Sequence, residues 1–127
     1  MDKKYFINVI NKLEGYKTRL KELHWSSPSR SFHVIIDEFS EEIANFEDAF
    51  VENSIILVGF VYAGDLNPIL PEEMDFETNL GAIRGLLSSI KDECTDQMWS
   101  GVINLVDDFW SVVGKYIYLA KITNHEA

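Results

Sequence analysis

Four polar residues between positions 33 and 52 have the types and the spacing of metal ligands. His33 and Asp37 are four residues apart, and so are Asp48 and Glu52. Residues four apart lie on the same face of an α-helix, so each pair presents two ligand atoms side by side. One imidazole and three carboxylates form a hard, oxygen-rich set that suits iron or manganese better than zinc or copper.

The two pairs are arranged symmetrically about a midpoint between positions 42 and 43. Asp37 and Asp48 are about 16 Å apart along one helix, which is too far for one metal ion. If two copies of the helix pack antiparallel about a two-fold axis at that midpoint, His33 and Asp37 of one copy face Glu52 and Asp48 of the other. The spacing therefore predicts a homodimer with two identical sites, each completed by both chains.

These ligands belong to the stretch Phe32 to Leu57, which is predicted to form one long helix with two opposed faces. One face is apolar and is expected to join the core; it comprises Ile35, Ile36, Phe39, Ile43, Phe46, Ala49 and Phe50. The other face is polar and is expected to point away from the chain's own core; it comprises His33, Asp37, Glu41, Asp48 and Glu52. Such a charge run is also typical of a plain solvated surface, so the rest of the chain must distinguish the two interpretations.

Composition narrows the class of protein. A chain of 127 residues with 46% hydrophobic residues predicts one domain, spanning 1–127, with a sizeable core. The net charge of −10 disfavours nucleic-acid phosphates and favours cations. No apolar run approaches the roughly 20 residues of a membrane span, and the first residues lack a signal-peptide core. With Cys94 as the only cysteine, the sequence predicts a protein of the reducing cytoplasm.

Hydrophobic periodicity predicts three further helices, over 2–24, 75–93 and 96–122. Gly15 within the first helix is expected to be tolerated at a cost of about 1 kcal/mol against alanine. Ser29 or Ser31 is expected to cap the long helix, and Thr95 the last one. The last helix carries two apolar stripes, which predict either contact with a partner subunit or deep burial.

Residues 60–73 contain Gly64, Pro68 and Pro71 and are predicted to connect the second helix to the third, with at most a turn or a 3₁₀ piece inside. Fourteen extended residues reach about 46 Å, whereas a helix of 28 residues is about 42 Å long. The segment is therefore long enough to run the length of a four-helix bundle. The Glu-x-x-His motif that supplies metal sites inside such bundles does not occur, which favours a site between subunits.

The pattern as a whole resembles the Dps family of mini-ferritins. The matching residues run in the family's order: His24 and Trp25 at the end of a first helix, a short loop, Phe32, His33, Asp37, Asp48 and Glu52. The resemblance implies an all-α, ferritin-like four-helix bundle with one long crossover between the second and third helices. It also implies that one subunit supplies His24, His33 and Asp37 and the other Asp48 and Glu52, with Trp25 packed beside the site or in the core.

Departures from the family limit what the resemblance implies. The interval from His24 to His33 is shorter than in the family, so His24 either completes the site or holds a water toward a second metal. The chain is also shorter than typical members and carries no long basic tail. The resemblance therefore does not extend to DNA binding.

The function that the resemblance implies is ferroxidase activity. Fe(II) would bind between subunits and be oxidised by peroxide or dioxygen, and the ferric product would be stored as a mineral in a hollow shell, which has twelve subunits in the family. Two alternatives stay open. One is a shell that binds metal without catalysis. The other is a non-enzymatic helical dimer or adaptor whose acidic face is solvated or binds a basic partner, and which keeps that face outside any dimer interface because burying like charges is costly.

Overall fold

The computed structural model describes residues 1–126, and these form four α-helices and no strand. The helices are α1 (Lys3–Ser26), α2 (Arg30–Val58), α3 (Phe76–Glu93) and α4 (Ser100–Glu126), with a 3₁₀ turn at Gln97–Trp99. α1 packs against α2, α2 against α4, and α4 against α3. The predicted all-α four-helix bundle is confirmed.

Local signals at the helix ends explain where α1, α2 and α3 begin. The side chains of Asp2, Ser29 and Asp75 each accept a hydrogen bond from the backbone N–H three residues later, at 2.8, 3.3 and 2.7 Å. These bonds satisfy donors that a helix leaves free in its first turn. Of the two serines predicted to cap α2, Ser29 is the one used.

The helix ends differ from the predicted bounds by a few residues: the last helix, predicted over 96–122, spans Ser100–Glu126. α1, predicted over 2–24, continues through Ser26, so His24 and Trp25 lie within its last turn. It stops there because Ser27, which precedes Pro28, has extended backbone angles. Thr95 does not cap the last helix: the first hydrogen bond of the 3₁₀ turn runs from the Trp99 N–H to the Asp96 carbonyl at 3.0 Å, and α4 begins only after that turn.

The apolar face predicted for α2 lies in the core. Ile36, Phe39, Ile43, Phe46 and Phe50 are buried, and Ile35 and Ala49 are half-buried. Phe109 of α4 stacks on both Phe39 and Phe46, with ring centroids 5.8 and 4.4 Å apart. This aromatic packing fixes the rotation of α2, and so it also fixes which side of α2 faces solvent.

Both apolar stripes of α4 contribute to the same core. One stripe includes Trp99 of the 3₁₀ turn and Val106 and Val113 of α4, and all three are buried; the other includes Val102, Phe109 and Tyr116, which are also buried. Deep burial therefore accounts for the two stripes within a single chain. The exceptions among the described residues are Met98 and Trp110, which are exposed.

The connection between α2 and α3 is a long crossover, residues 59–75, which contains no helix. It includes one turn, in which the Asp65 N–H donates to the Tyr62 carbonyl at 3.0 Å and Gly64 has a φ of 93° that favours glycine. Phe76 at the start of α3 lies edge-on to Phe32 at the start of α2, with centroids 6.4 Å apart. The crossover therefore returns along the bundle, and α2 and α3 begin at the same end.

The crossover is bound to α1 along its length. The N–H of Ile69 donates to the Asn11 carbonyl at 2.9 Å, and the Asn67 N–H donates to the Asn11 side chain at 2.8 Å. Further along, the buried guanidinium of Arg19 donates to the Pro71 carbonyl at 2.9 Å. Polar groups of α1 thus satisfy backbone groups of a segment that has no secondary structure of its own.

The packing of the crossover against α1 requires a glycine at position 15. A Cβ at Gly15 would lie 1.7 Å from the carbonyl oxygen of Ile69 and 2.4 Å from its carbonyl carbon. Both atoms belong to the backbone of the crossover, which cannot yield as a flexible side chain does. The glycine lets the crossover lie directly against the helix.

Candidate metal site

The predicted ligands lie on the solvent side of the bundle. His33, Asp37, Asp48 and Glu52 are all exposed along α2, and His24 is partly exposed at the end of α1. The cause is the aromatic packing on the other side of α2, which turns this face outward. Glu41 continues the same exposed face.

A single chain does not bring these ligands together. Among residues 1–126, no group of three or more His, Cys, Asp or Glu side chains is close enough to hold a metal ion. This agrees with helix geometry, which separates the His33–Asp37 pair from the Asp48–Glu52 pair by about 16 Å. Any centre that uses both pairs needs a second copy of the chain.

The structure does bring His24 and His33 together. Their rings are stacked with centroids 3.8 Å apart, and Nδ1 of His33 lies 3.0 Å from the carbonyl oxygen of His24. A carbonyl oxygen can only accept, so Nδ1 of His33 must carry the proton. In the neutral imidazole, Nε2 of His33 then has a free lone pair, which is the state that metal ligation requires.

The ring of His24, unlike that of His33, makes no hydrogen bond through Nδ1. This nitrogen is buried and has no partner among the described residues. Its carbonyl belongs to the last turn of α1, where carbonyl groups lack partners within the helix. The short α1–α2 connection therefore does not separate the two histidines; it places the end of α1 directly against the first turn of α2.

Trp25 does not pack in the core. Its side chain is 76% exposed at the end of α1. Of the two roles expected for it, core packing is therefore wrong. The tryptophan remains next to His24 in sequence and on the surface of the bundle.

The electrostatic character of α2 is strongly negative. After Arg30 the helix contains no lysine or arginine. The hydroxyl of the buried Tyr116 donates to Glu38 at 3.4 Å, and burial together with the charges of Glu38 and Glu42 raises the pKa of Tyr116 to about 12. The negative field of this helix thus reaches a group on the neighbouring α4.

The sequence analysis did not predict a buried charged cluster between α1 and α2, formed by Glu14, Lys17 and Glu47. Glu47 is only 6% exposed, and its carboxylate accepts from the ammonium of Lys17 at 2.8 Å. Lys17 also donates to Glu14 at 2.8 Å. A signal was present, because Glu47 lies between Ile43 and Phe50 at core-like spacing.

Burial raises the pKa of Glu47 to about 7, and a hydrogen bond shared with Glu14 adds to the effect, while Lys17 opposes it. The same shared hydrogen bond lowers the pKa of Glu14. Near pH 7 Glu47 is therefore about half protonated, and Lys17, which contacts both carboxyl groups, neutralises the charge that remains. The second oxygen of Glu47, Oε2, has no hydrogen-bond partner among the described residues.

A surface cleft of about 580 Å³ lies where the α1–α2 connection meets the start of α3, away from the predicted ligands. Its walls include Leu23, Phe32, Ile36 and Phe76, with Asp75 and Glu77 as its acidic groups. None of the five predicted ligands lines it, so the cleft and the acidic face are separate features.

Comparison of the chain with protein-family models, with curated proteins and with solved structures gave no match. Among the described helices, none has a stretch both long enough and apolar enough to span a bilayer.

Proposed function

We propose that this chain is a short Dps-like mini-ferritin of the cytoplasm, which binds Fe(II) between two-fold-related subunits and oxidises it. The observation that carries the proposal is the hydrogen bond between Nδ1 of His33 and the carbonyl of His24, at 3.0 Å. It leaves Nε2 of His33 free for a metal on an exposed face, one helical turn before Asp37.

Iron is the substrate of the proposed reaction. His33 and Asp37 of one copy and Asp48 and Glu52 of the other would hold Fe(II), with His24 beside them. Hard anionic carboxylates favour the higher charge of Fe(III), so they make the loss of an electron easier. Each Fe(II) gives up one electron, and a peroxide molecule accepts two as it is reduced to water.

The fold supports the ferritin-like part of the proposal. α2 and α3 begin at the same end of the bundle because the crossover runs back along it, which is the connectivity of ferritin-like bundles. The hollow shell of many subunits and the stored ferric mineral belong to the same proposal. They rest on the resemblance carried by His24, Trp25, His33, Asp37, Asp48 and Glu52.

The test is an anaerobic Fe(II) titration, followed by addition of peroxide or air while ferric absorbance is recorded, with mass from light scattering on the same sample. We expect saturable binding at about two irons or fewer for each inter-subunit site, and fast oxidation. Binding without fast oxidation would favour a shell that lacks catalysis. A monomer that binds no more Fe(II) than other acidic proteins would favour the non-enzymatic adaptor.

A further inference from the structure

We propose that metal binding and the pairing of two copies through the acidic face of α2 form one linked equilibrium, in which a divalent cation holds the pair together. The proposal rests on the inter-subunit site described above and adds how its assembly is regulated. It follows from the charges on the face, from their register in a two-fold pair, and from the apolar residues at its ends.

The face carries no compensating charge of its own. Six carboxylates of α2 are exposed, and none of them forms an ion pair with a described residue. Four of them belong to the acidic face, namely Asp37, Glu41, Asp48 and Glu52, and two, Glu38 and Glu42, lie beside it on the side toward Tyr116 of α4. Arg30, in the first turn, is the only lysine or arginine on α2. A pair of copies doubles this negative charge without adding a cation along the rest of the helix.

The register of the pair brings carboxylates opposite carboxylates. With the axis between positions 42 and 43, Asp37 of one copy is level with Asp48 of the other. The histidine at position 33 is level with Glu52. Two like charges brought within a few ångströms repel, and the repulsion grows as water is excluded. Without a cation, pairing through this face is disfavoured.

Exposed apolar side chains lie at both ends of the same face. Ile56, one turn beyond Glu52, is 81% exposed, and Trp25 is 76% exposed. The contact between His24 and His33 places Trp25 beside the first turn of α2. In the two-fold register position 56 is level with position 29, so Ile56 of one copy would lie near the α1–α2 connection of the other, where Trp25 is exposed.

These apolar ends identify the occupant of the face as a second copy of the chain. Two exposed hydrophobic side chains that become neighbours under the same axis that pairs the ligands are expected of a self-complementary interface. A basic partner would match the carboxylates but has no need of Trp25 and Ile56. The apolar contacts direct the pairing, and the cation removes the repulsion that opposes it.

Linkage follows because each site takes ligands from both chains. A cation that binds the pair and not the single chain raises the fraction of paired chains by mass action. Reciprocally, dilution of the protein must weaken cation binding by the same coupling. Metal affinity and self-association therefore cannot be varied independently at this face.

The experiment is sedimentation velocity of the full chain in excess EDTA and then in Mn(II), which binds hard oxygen ligands and is not oxidised under these conditions. We expect the mass to at least double on addition of Mn(II) and to return on chelation. A mass that is the same in EDTA and in Mn(II) would overturn the proposal.

Matched variants separate the two parts of the interface. D37N/D48N should lose the response to Mn(II), whereas D92N/D96N, which changes two exposed carboxylates outside the face, should keep it. Ile56→Ala should need several-fold more protein to pair at the same Mn(II) concentration, and Tyr118→Ala, at an exposed aromatic on α4, should not. A D37N/D48N variant that still pairs in response to Mn(II) would also overturn the proposal.

Failure here is distinguishable from failure of the proposed function. A chain that stays paired in EDTA and still oxidises Fe(II) rapidly would remove the linkage and leave the ferroxidase. A chain that pairs only in Mn(II) but oxidises no Fe(II) would retain the linkage and remove the ferroxidase.

Discussion

Asp37 is the residue on which the proposed chemistry depends most directly, because it shares a helix face with the Nε2 lone pair of His33. Asp37→Ala should abolish peroxide-dependent ferrous oxidation, measured as ferric absorbance, and leave the circular dichroism of the bundle unchanged, since the side chain is exposed. Asp92→Ala on α3 is the control and should keep wild-type oxidation. Wild-type rates in Asp37→Ala would count against the site.

Glu47 predicts a dependence of stability on pH. Its folded-state pKa of about 7 lies above its usual value of 4.5, so the folded protein holds a proton that the unfolded chain releases. The stability from this proton is complete below pH 4.5 and is lost as the pH rises through 7. The opposite shift of Glu14 acts at lower pH, because a carboxyl with a lowered pKa loses its contribution only as the pH falls through that pKa.

Glu47→Gln should therefore stabilise the protein more at pH 8 than at pH 5.5, by roughly 1–3 kcal/mol, measured by urea unfolding. The amide keeps an oxygen for Lys17 but has no ionisable proton. Glu41→Gln, on the exposed side of the same helix, should leave the difference between the two pH values unchanged. An equal effect of Glu47→Gln at both pH values would mean that Glu47 stays ionised in the folded protein.

At the scale of elements, the crossover is held in place by α1. Asn11 and Arg19 form hydrogen bonds with the backbone of the crossover, and Gly15 leaves room for that backbone to lie against the helix. This explains how seventeen residues without a helix, 59–75, keep a defined path. It also explains why the start of α3 lies beside the start of α2 and not beside its end.

Gly15→Ala tests this packing. In an open helix, glycine to alanine stabilises by about 1 kcal/mol. Here the new Cβ meets the Ile69 backbone, so we expect a loss of about 1–3 kcal/mol in the free energy of unfolding. Gly81→Ala on α3, where a Cβ has open space, is the matched control and should stabilise. A stabilised Gly15→Ala protein would show that the crossover can move away from α1 at little cost.

At the scale of the whole molecule, one aromatic core joins the helices. Phe46 of α2 stacks on Phe50 and on Phe109 of α4, and Phe50 meets Phe6 of α1. Phe39 continues the chain to Phe76 of α3. Because the cluster includes all four helices, its packing sets the rotation of α2 and the outward direction of the acidic face.

Phe46→Ala should therefore lower the free energy of unfolding by about 3–5 kcal/mol, the usual cost of truncating a buried phenylalanine. Urea denaturation in EDTA measures it without a contribution from bound metal. Val34→Ala, at an exposed position of α2, should cost far less. A loss below about 1 kcal/mol in Phe46→Ala would mean that the apolar and acidic faces are reversed.

The sequence by itself determined the four helices, the core face of α2 and the length of the crossover. These features follow from periodicity, from caps such as Ser29, and from Pro28 and Gly59, and all of them are local. The sequence also determined the pairing of the proposed ligands, because helical spacing alone places His33 with Asp37 and Asp48 with Glu52.

Only the tertiary structure decided what depends on neighbours distant in sequence. It placed the Ile69 carbonyl against Gly15, buried Glu47 beside Lys17, and set the His24 carbonyl against the His33 ring. Each of these needs two segments to meet at a defined distance and rotation, which periodicity within one segment does not contain. The tautomer of His33 is such a consequence of packing between α1 and α2.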